Sequence, residues 1–125
     1  MIPRYRAWDK EFKEMVQVNA LVLDEQVIKV TYKNKNVVKD DVKEYVLMQS
    51  TGFKDKNGKE IFEGDVLGTK DGLLNGFIEY REDLGMFVNS LIRYDNFERL
   101  CNVVSDREII GNVYENPEFL VVEDE

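Results

Sequence analysis

The chain has 125 residues, 34% of them charged, with 43% hydrophobic content and a formal net charge of −8. That length supports one ordinary core or two very small modules, and the hydrophobic share is that of a globular chain rather than a disordered one. Apolar runs such as Ala20-Leu21-Val22-Leu23 are far too short to span a membrane, and the acidic balance disfavours direct nucleic-acid binding, which needs a basic surface.

The N-terminal stretch MIPRYRAWDK lacks the apolar core of a secretory signal, so a cytoplasmic location is expected. Residues 15–23 are apolar but alternate poorly, whereas Val27 to Tyr32 is rich in β-branched and aromatic residues. Asp24-Glu25 between them predicts a hairpin. A polar loop at 32–36 is followed by Val37-Val38, a polar stretch from Asp40 to Glu44, and a further strand at Tyr45 to Met48. Charge balance changes here: residues 1–46 carry nine Lys/Arg and eight Asp/Glu, and residues 47–125 carry eight and seventeen. A soft boundary is therefore expected near residue 45/46. No Ser/Gly-rich linker marks it, so the two parts are expected to pack together.

Beyond the boundary, short strands are predicted at Val66–Thr69, Gly76–Arg81, Met86–Val88, Leu91–Tyr94 and Ile109–Tyr114. Asp71-Gly72, Asn75-Gly76 and Leu84-Gly85 mark the turns between them. Asn96–Cys101 is the best helical candidate, with Phe97 and Leu100 three apart on one face. The expected fold is mainly β. A small β-rich N-terminal part, residues 1–45, packs on a compact SH3-like β-barrel with one short helix, residues 46–125. Gly111-Asn112 inside an apolar run predicts a bulge or close backbone approach, and Asn116-Pro117 a strand end. The tail Val121–Glu125 is expected to fray or to pair onto a neighbouring edge.

The stretch TGFKDKNGKEIFEGDVL, Thr51–Leu67, holds the densest chemistry. As a calcium loop it fails in both registers. Gly58 at the sixth position puts Phe53 first and Gly64 twelfth, and a start at Asp55 puts Val66 at the bidentate position. Asn57-Gly58 predicts a two-residue hairpin turn. Glu60, Glu63 and Asp65 offer the material for a carboxylate pair in hydrolysis, but the simpler reading has Glu60 and Glu63 solvated and Asp65 fixing a bend after Gly64. The absence of histidine excludes His-based triads and most zinc sites. No phosphate-binding glycine loop or nucleophile elbow is present, and nothing calls for a cofactor or metal. The single cysteine, Cys101, cannot form an internal disulfide and is expected to be a small buried hydrophobe. Trp8 is expected to plug a core edge, with Tyr5 and Trp8 both on the sheet and Arg4 and Arg6 outward.

Three segments carry a resemblance. Leu47-Met48-Gln49-Ser50-Thr51-Gly52-Phe53-Lys54-Asp55-Lys56-Asn57-Gly58-Lys59-Glu60-Ile61-Phe62-Glu63-Gly64-Asp65-Val66 resembles the signature of the YopX family. Arg4-Tyr5-Arg6-Ala7-Trp8-Asp9 and Glu108-Ile109-Ile110-Gly111-Asn112-Val113-Tyr114-Glu115-Asn116-Pro117 resemble its other two signatures, in the same order. The resemblance implies a protein encoded by a bacteriophage or prophage of a Gram-positive host, β-rich with an SH3-like region toward the C-terminus. It supplies no catalytic residues. Arg6, Trp8, Asp9, Asp55, Glu60, Glu63, Asp65, Asn112 and Glu115 are its candidates for partner contact, and Gly52, Asn57, Gly58, Gly64, Gly111 and Pro117 its turn positions.

The expected function is that of a non-enzymatic accessory protein working by contact with a host or phage protein. An acidic decoy for the basic site of a DNA-binding protein and a carboxylate hydrolase are the alternatives. Open strand edges suggest homo-oligomers as well.

Overall fold

The computed structural model describes residues 4–122. They form two compact units, one up to Gln49 and one from Ser50 onward, so the division falls inside a strand rather than at 45/46. The chain is mainly β, as expected, but it is built from two antiparallel sheets.

The first unit contains β1 (Tyr5–Asp9), β2 (Glu14–Val22), β3 (Val27–Thr31), β4 (Val37–Asp41) and the first half of β5 (Tyr45–Lys54). Their order is β4-β3-β2-β1-β5. The predicted hairpin between residues 15–23 and 27–32 is present, paired from Gln17↔Thr31 to Val22↔Val27. Its first strand alternates poorly in sequence because the register slips between Val18 and Ala20, where an extra residue shifts the side chains between faces. Ala7, Val16, Ile28, Val30 and Tyr45 pack as one core, with Val18, Leu21, Tyr32, Val42 and Leu47 against it.

Strand geometry corrects the reading of the N-terminal motif. Successive side chains in β1 alternate, so Tyr5, Ala7 and Asp9 share one face and Arg6 and Trp8 the other. Tyr5 and Trp8 therefore do not lie together. Ala7 and Asp9 are buried, while Arg6 and Trp8 are half-buried.

The second unit pairs the second half of β5 with β6 (Glu60–Phe62). It also holds a five-stranded sheet of β7 (Asp65–Gly68), β8 (Gly76–Arg81), β9 (Met86–Leu91), β10 (Phe97–Arg99) and β11 (Glu108–Asn112), in the order β10-β9-β8-β7-β11. Ile61, Leu67, Ile78 and Leu100 form its core, joined by Phe87, Val104 and Ile109. This sheet is open. Among the described residues its outer strands β10 and β11 pair with β9 and β7 and not with each other, so two sheets with no closed barrel stand where an SH3-like barrel was expected.

Other local expectations are revised. Residues 97–99 form a strand rather than the start of a helix, since Phe97↔Ser90 to Arg99↔Val88 pairing with β9 outweighs one helical turn's weak propensity. The helix α1 is Leu100–Val103 and buries only Leu100, leaving Cys101 exposed rather than in the core. The two strands expected at Met86–Val88 and Leu91–Tyr94 are one, β9, which ends at Leu91 where its N–H donates to Asn96 O at 3.0 Å. Val121 and Val122 are exposed and outside any strand, and the rest of the expected frayed tail, 123–125, lies outside the described residues.

Candidate functional site

The buried aspartates of the opening signature, Asp55 and Asp65, hold turns, whereas Glu60 meets the Ser50 hydroxyl. Asp55 is 6% exposed. Its Oδ1 accepts the N–H groups of Asn57 and Lys59, both at 2.9 Å, and its Oδ2 accepts Ile109 N–H at 2.9 Å. Burial pushes this carboxyl up, but the donors from Ile109, Lys59 and Asn57, with the Lys59 charge, outweigh it and hold it below the usual aspartate value. The loop it caps is not the two-residue turn expected. Asp55 N–H donates to Lys59 O at 2.8 Å and Gly58 N–H to Asp55 O at 2.9 Å, leaving Lys56, Asn57 and Gly58 in between. Gly58 has φ +82°, whereas Asn57 is not left-handed, as suits a three-residue hairpin loop with glycine at its left-handed position. Lys56 N–H reaches Arg107 O at 3.0 Å, and Asn57 Nδ2 donates to Glu108 Oε2 at 3.3 Å, so the loop is laced to the entry of β11.

Asp65, 2% exposed, accepts Phe62 N–H at 2.8 Å across the left-handed Gly64. Gly64 itself donates to Ile78 O at 2.9 Å and accepts from Val113 N–H at 2.8 Å. Glu60 is half-buried and accepts the Ser50 hydroxyl proton, so it is not simply solvated; Glu63 is also half-buried. Gly52 is left-handed where the β5–β6 register slips between Ser50 and Lys54.

The C-terminal motif behaves similarly. Asn112, 7% exposed, accepts Tyr114 N–H at 3.1 Å and Glu115 N–H at 2.8 Å through Oδ1, and its Nδ2 donates to Glu115 Oε1 at 2.8 Å. This capture ends β11 at Asn112, ahead of the strand end expected at Asn116-Pro117; Pro117 instead opens a 3₁₀ turn, Pro117–Leu120. The bulge expected at Gly111 is present, with the register shifting between Ile109 and Gly111. A Cβ on Gly111 would lie 2.4 Å from Asn116 Oδ1, so close approach, not left-handed backbone, requires glycine.

Asp9 is 3% exposed. Its Oδ1 accepts the N–H groups of Glu11 at 2.9 Å and Phe12 at 3.1 Å, and its Oδ2 accepts the Tyr32 hydroxyl at 2.6 Å. Tyr32 and Tyr45 hydroxyls lie 2.8 Å apart, and the Tyr45 hydroxyl reaches Asp40 Oδ2 at 3.2 Å. Burial first, then the hydrogen bonds to Asp9 and Tyr45, raise the Tyr32 phenol above its ordinary range. Tyr45 is also raised, chiefly by burial. Beside this chain opens a cleft of about 530 Å³ lined by Phe12, Glu14, Tyr32, Asn34, Asn36, Val38 and Asp40. Phe12 is 70% exposed there.

A further polar cluster lies in the second unit. Arg107 donates to Glu98 Oε2 at 2.6 Å, and Asn89 Nδ2 donates to Glu98 Oε1 at 3.1 Å. Arg107 and Asn89 are both buried. Sequence reading missed Tyr32, Tyr45, Asp40, Glu98 and Arg107, because their partners lie on other strands and leave no local spacing. Among the described residues no group of three or more Cys, Asp or Glu side chains is placed to hold a metal ion, and no helix is long and apolar enough to cross a membrane.

Fold and turn chemistry thus define a two-unit antiparallel β protein whose buried signature aspartates, Asp9, Asp55 and Asp65, brace loops. The family model described as "YopX protein" matches residues 4–121, and the chain belongs to the YopX family. It is similar to protein EF1440 from Enterococcus faecalis, whose crystal structure shares 31% identity at a TM-score of 0.68, covering 97% of this chain and 99% of that one. YopX from Bacillus subtilis has the same fold, with a TM-score of 0.55 over 94% of this chain and 98% of that one, at 23% identity. No curated protein matches.

Proposed function

We propose that this protein is a non-enzymatic accessory protein of a phage or prophage that acts in the host cytoplasm by binding another protein. The observation that supports this reading is the occupation of the signature carboxylates. Asp9, Asp55 and Asp65 are buried and already accept backbone N–H groups of their own turns, and Asp55 also that of Ile109. A general acid or base must be open to exchange a proton with a substrate, and these groups are buried and tied to backbone donors. The surface left for recognition lies elsewhere, at exposed apolar side chains such as Phe12 and Val37.

The test is reciprocal capture with quantitative mass spectrometry from host cells expressing the chain at native level. One partner recovered with either protein as bait is the expected result. Absence of any saturable partner, together with turnover of a substrate that Glu60→Gln or Glu63→Gln abolishes, would reverse the reading in favour of hydrolysis.

A further inference from the structure

In the first unit, β4 stands at the edge of its sheet and pairs with β3 alone among the described residues. Which of its backbone groups face outward follows from the ladder. Tyr32 N–H donates to Asn36 O and Val42 N–H to Gln26 O, both at 2.9 Å, and the register between them runs Thr31↔Val37 to Val27↔Asp41. Hydrogen-bonded pairs recur every second residue in an antiparallel ladder. Residues 36, 38, 40 and 42 therefore turn their N–H and C=O groups toward β3, and Val37, Lys39 and Asp41 turn theirs away. Asp41 N–H is taken by Asp40 Oδ1 at 2.8 Å, which leaves the N–H groups of Val37 and Lys39 as the open donors and the C=O groups of Val37, Lys39 and Asp41 as the open acceptors. Val37, Val38 and Lys39 are all exposed.

The cleft adjoins this edge. Val38 and Asp40 of β4 line it together with Phe12, Glu14 and Tyr32. Its apolar and aromatic surfaces suit an aliphatic stem; Glu14 accepts Lys33 N–H at 3.1 Å, and Asp40 accepts Asp41 N–H and the Tyr45 hydroxyl, so both carboxylates keep acceptor sites for a cationic head, and no Lys or Arg lines the cleft. We propose that β4 docks an extended basic segment of a protein partner, which adds as a further strand and seats a Lys or Arg side chain in the cleft. Charge complementarity selects this occupant. The attraction is local, from Glu14 and Asp40 in the cleft, because residues 1–46 as a whole carry nine Lys/Arg against eight Asp/Glu and the acidic excess lies in residues 47–125; backbone pairing to Val37 and Lys39 then fixes the register, with alternate side chains facing the cleft. The inference rests on the protein-binding reading above.

The backbone part of the proposal has its own variant. Because Lys39 N–H points outward, Lys39→Pro removes no bond to β3 and is compatible with an edge strand, yet it deletes the central donor for an added strand. Binding is measured by fluorescence anisotropy with a labelled nine-residue peptide of alternating Lys and Val. The reference is a peptide of the same composition with its lysines and valines in separate blocks. The alternating peptide is expected to bind at least tenfold tighter. Lys39→Pro should weaken it at least tenfold with unchanged far-UV circular dichroism, Lys39→Ala should leave it within about twofold, and Glu14→Gln should weaken it severalfold. Equal affinity for the two peptides, or unchanged affinity in Lys39→Pro, would overturn strand addition. So would a concentration-dependent dimer in the absence of peptide that Lys39→Pro abolishes, since the edge would then belong to a second copy. A captured cellular partner that still binds Lys39→Pro would sink this site while leaving the protein-binding reading intact.

Discussion

Asp55 accepts the backbone N–H of Ile109, 54 residues further along the chain, at 2.9 Å. The same carboxylate caps the loop ahead of β6, so one buried side chain ties a hairpin to the first residues of β11. Lys56 N–H to Arg107 O reinforces the link. An aspartate in a charged, glycine-punctuated stretch thus works as a fastening between distant segments.

Asp55→Asn tests that fastening. Asparagine presents one acceptor oxygen and an NH₂ group, so whichever way it is turned it sets a donor against at least one of the three N–H groups now satisfied. A loss of about 3 kcal/mol is expected, read by urea denaturation at pH 7. Because folding depresses the Asp55 pKa, its contribution is complete above the unfolded carboxylate value of about 3.9. It disappears as pH falls through the lower, folded value. The stability gap between wild type and Asp55→Asn should therefore close in acid; a gap that persists at pH 2 would show that shape, not charge, holds the loop.

The Tyr32–Tyr45 pair gives the opposite pH dependence. Both phenols are raised in the folded state. Their contribution is full below the ordinary value of 10.0 and is lost as pH climbs toward the folded values. Ultraviolet titration should find the Tyr32 and Tyr45 phenols still protonated until the first unit unfolds. Tyr32→Phe and Tyr45→Phe should each remove one of the late phenols. Ionisation of either phenol at its ordinary value of 10.0 in the folded protein would contradict the network.

Arg107 and Glu98 form a pair whose side chains are 9% and 16% exposed. Removing the cation alone leaves a shielded carboxylate, so Arg107→Met should cost about 3 kcal/mol or more. Adding Glu98→Gln removes the stranded charge and keeps an acceptor for Asn89. The double variant should therefore regain at least about 1 kcal/mol over Arg107→Met. Additive losses in a double-mutant cycle would place the pair among weakly coupled surface ions.

Gly111→Ala should destabilise by about 1–3 kcal/mol, since its Cβ would meet Asn116 Oδ1 at 2.4 Å and Phe119 Cε2 at 2.9 Å. Combining it with Asn116→Ala removes the closer contact and should recover part of the loss in thermal unfolding. No recovery would mean that Phe119, or the bulge itself, sets the requirement.

Cys101 is exposed, and its thiol should react with a disulfide reagent at the rate of a free cysteine without denaturant. Protection until unfolding would return it to the core position that its residue type suggested.

Several features are legible in the amino-acid sequence by itself. The 24–25 turn, the strand at Gly76–Arg81, the bulge at Gly111 and the bend at Gly64-Asp65 each depend on neighbours within a few residues, and sequence carries such information directly. The family is legible too, because its signatures are runs of residue types in fixed order. What only the tertiary structure decided depends on partners far apart in the chain. Asp55 meets Ile109, Asp9 meets Tyr32, and Glu98 meets Arg107 across strands. Residues 97–99 became a strand because β9 offered them a ladder. Which edge remains open and which carboxylates are already spent followed from those pairings, since burial and strand order are properties of the folded sheet and have no signature in local spacing.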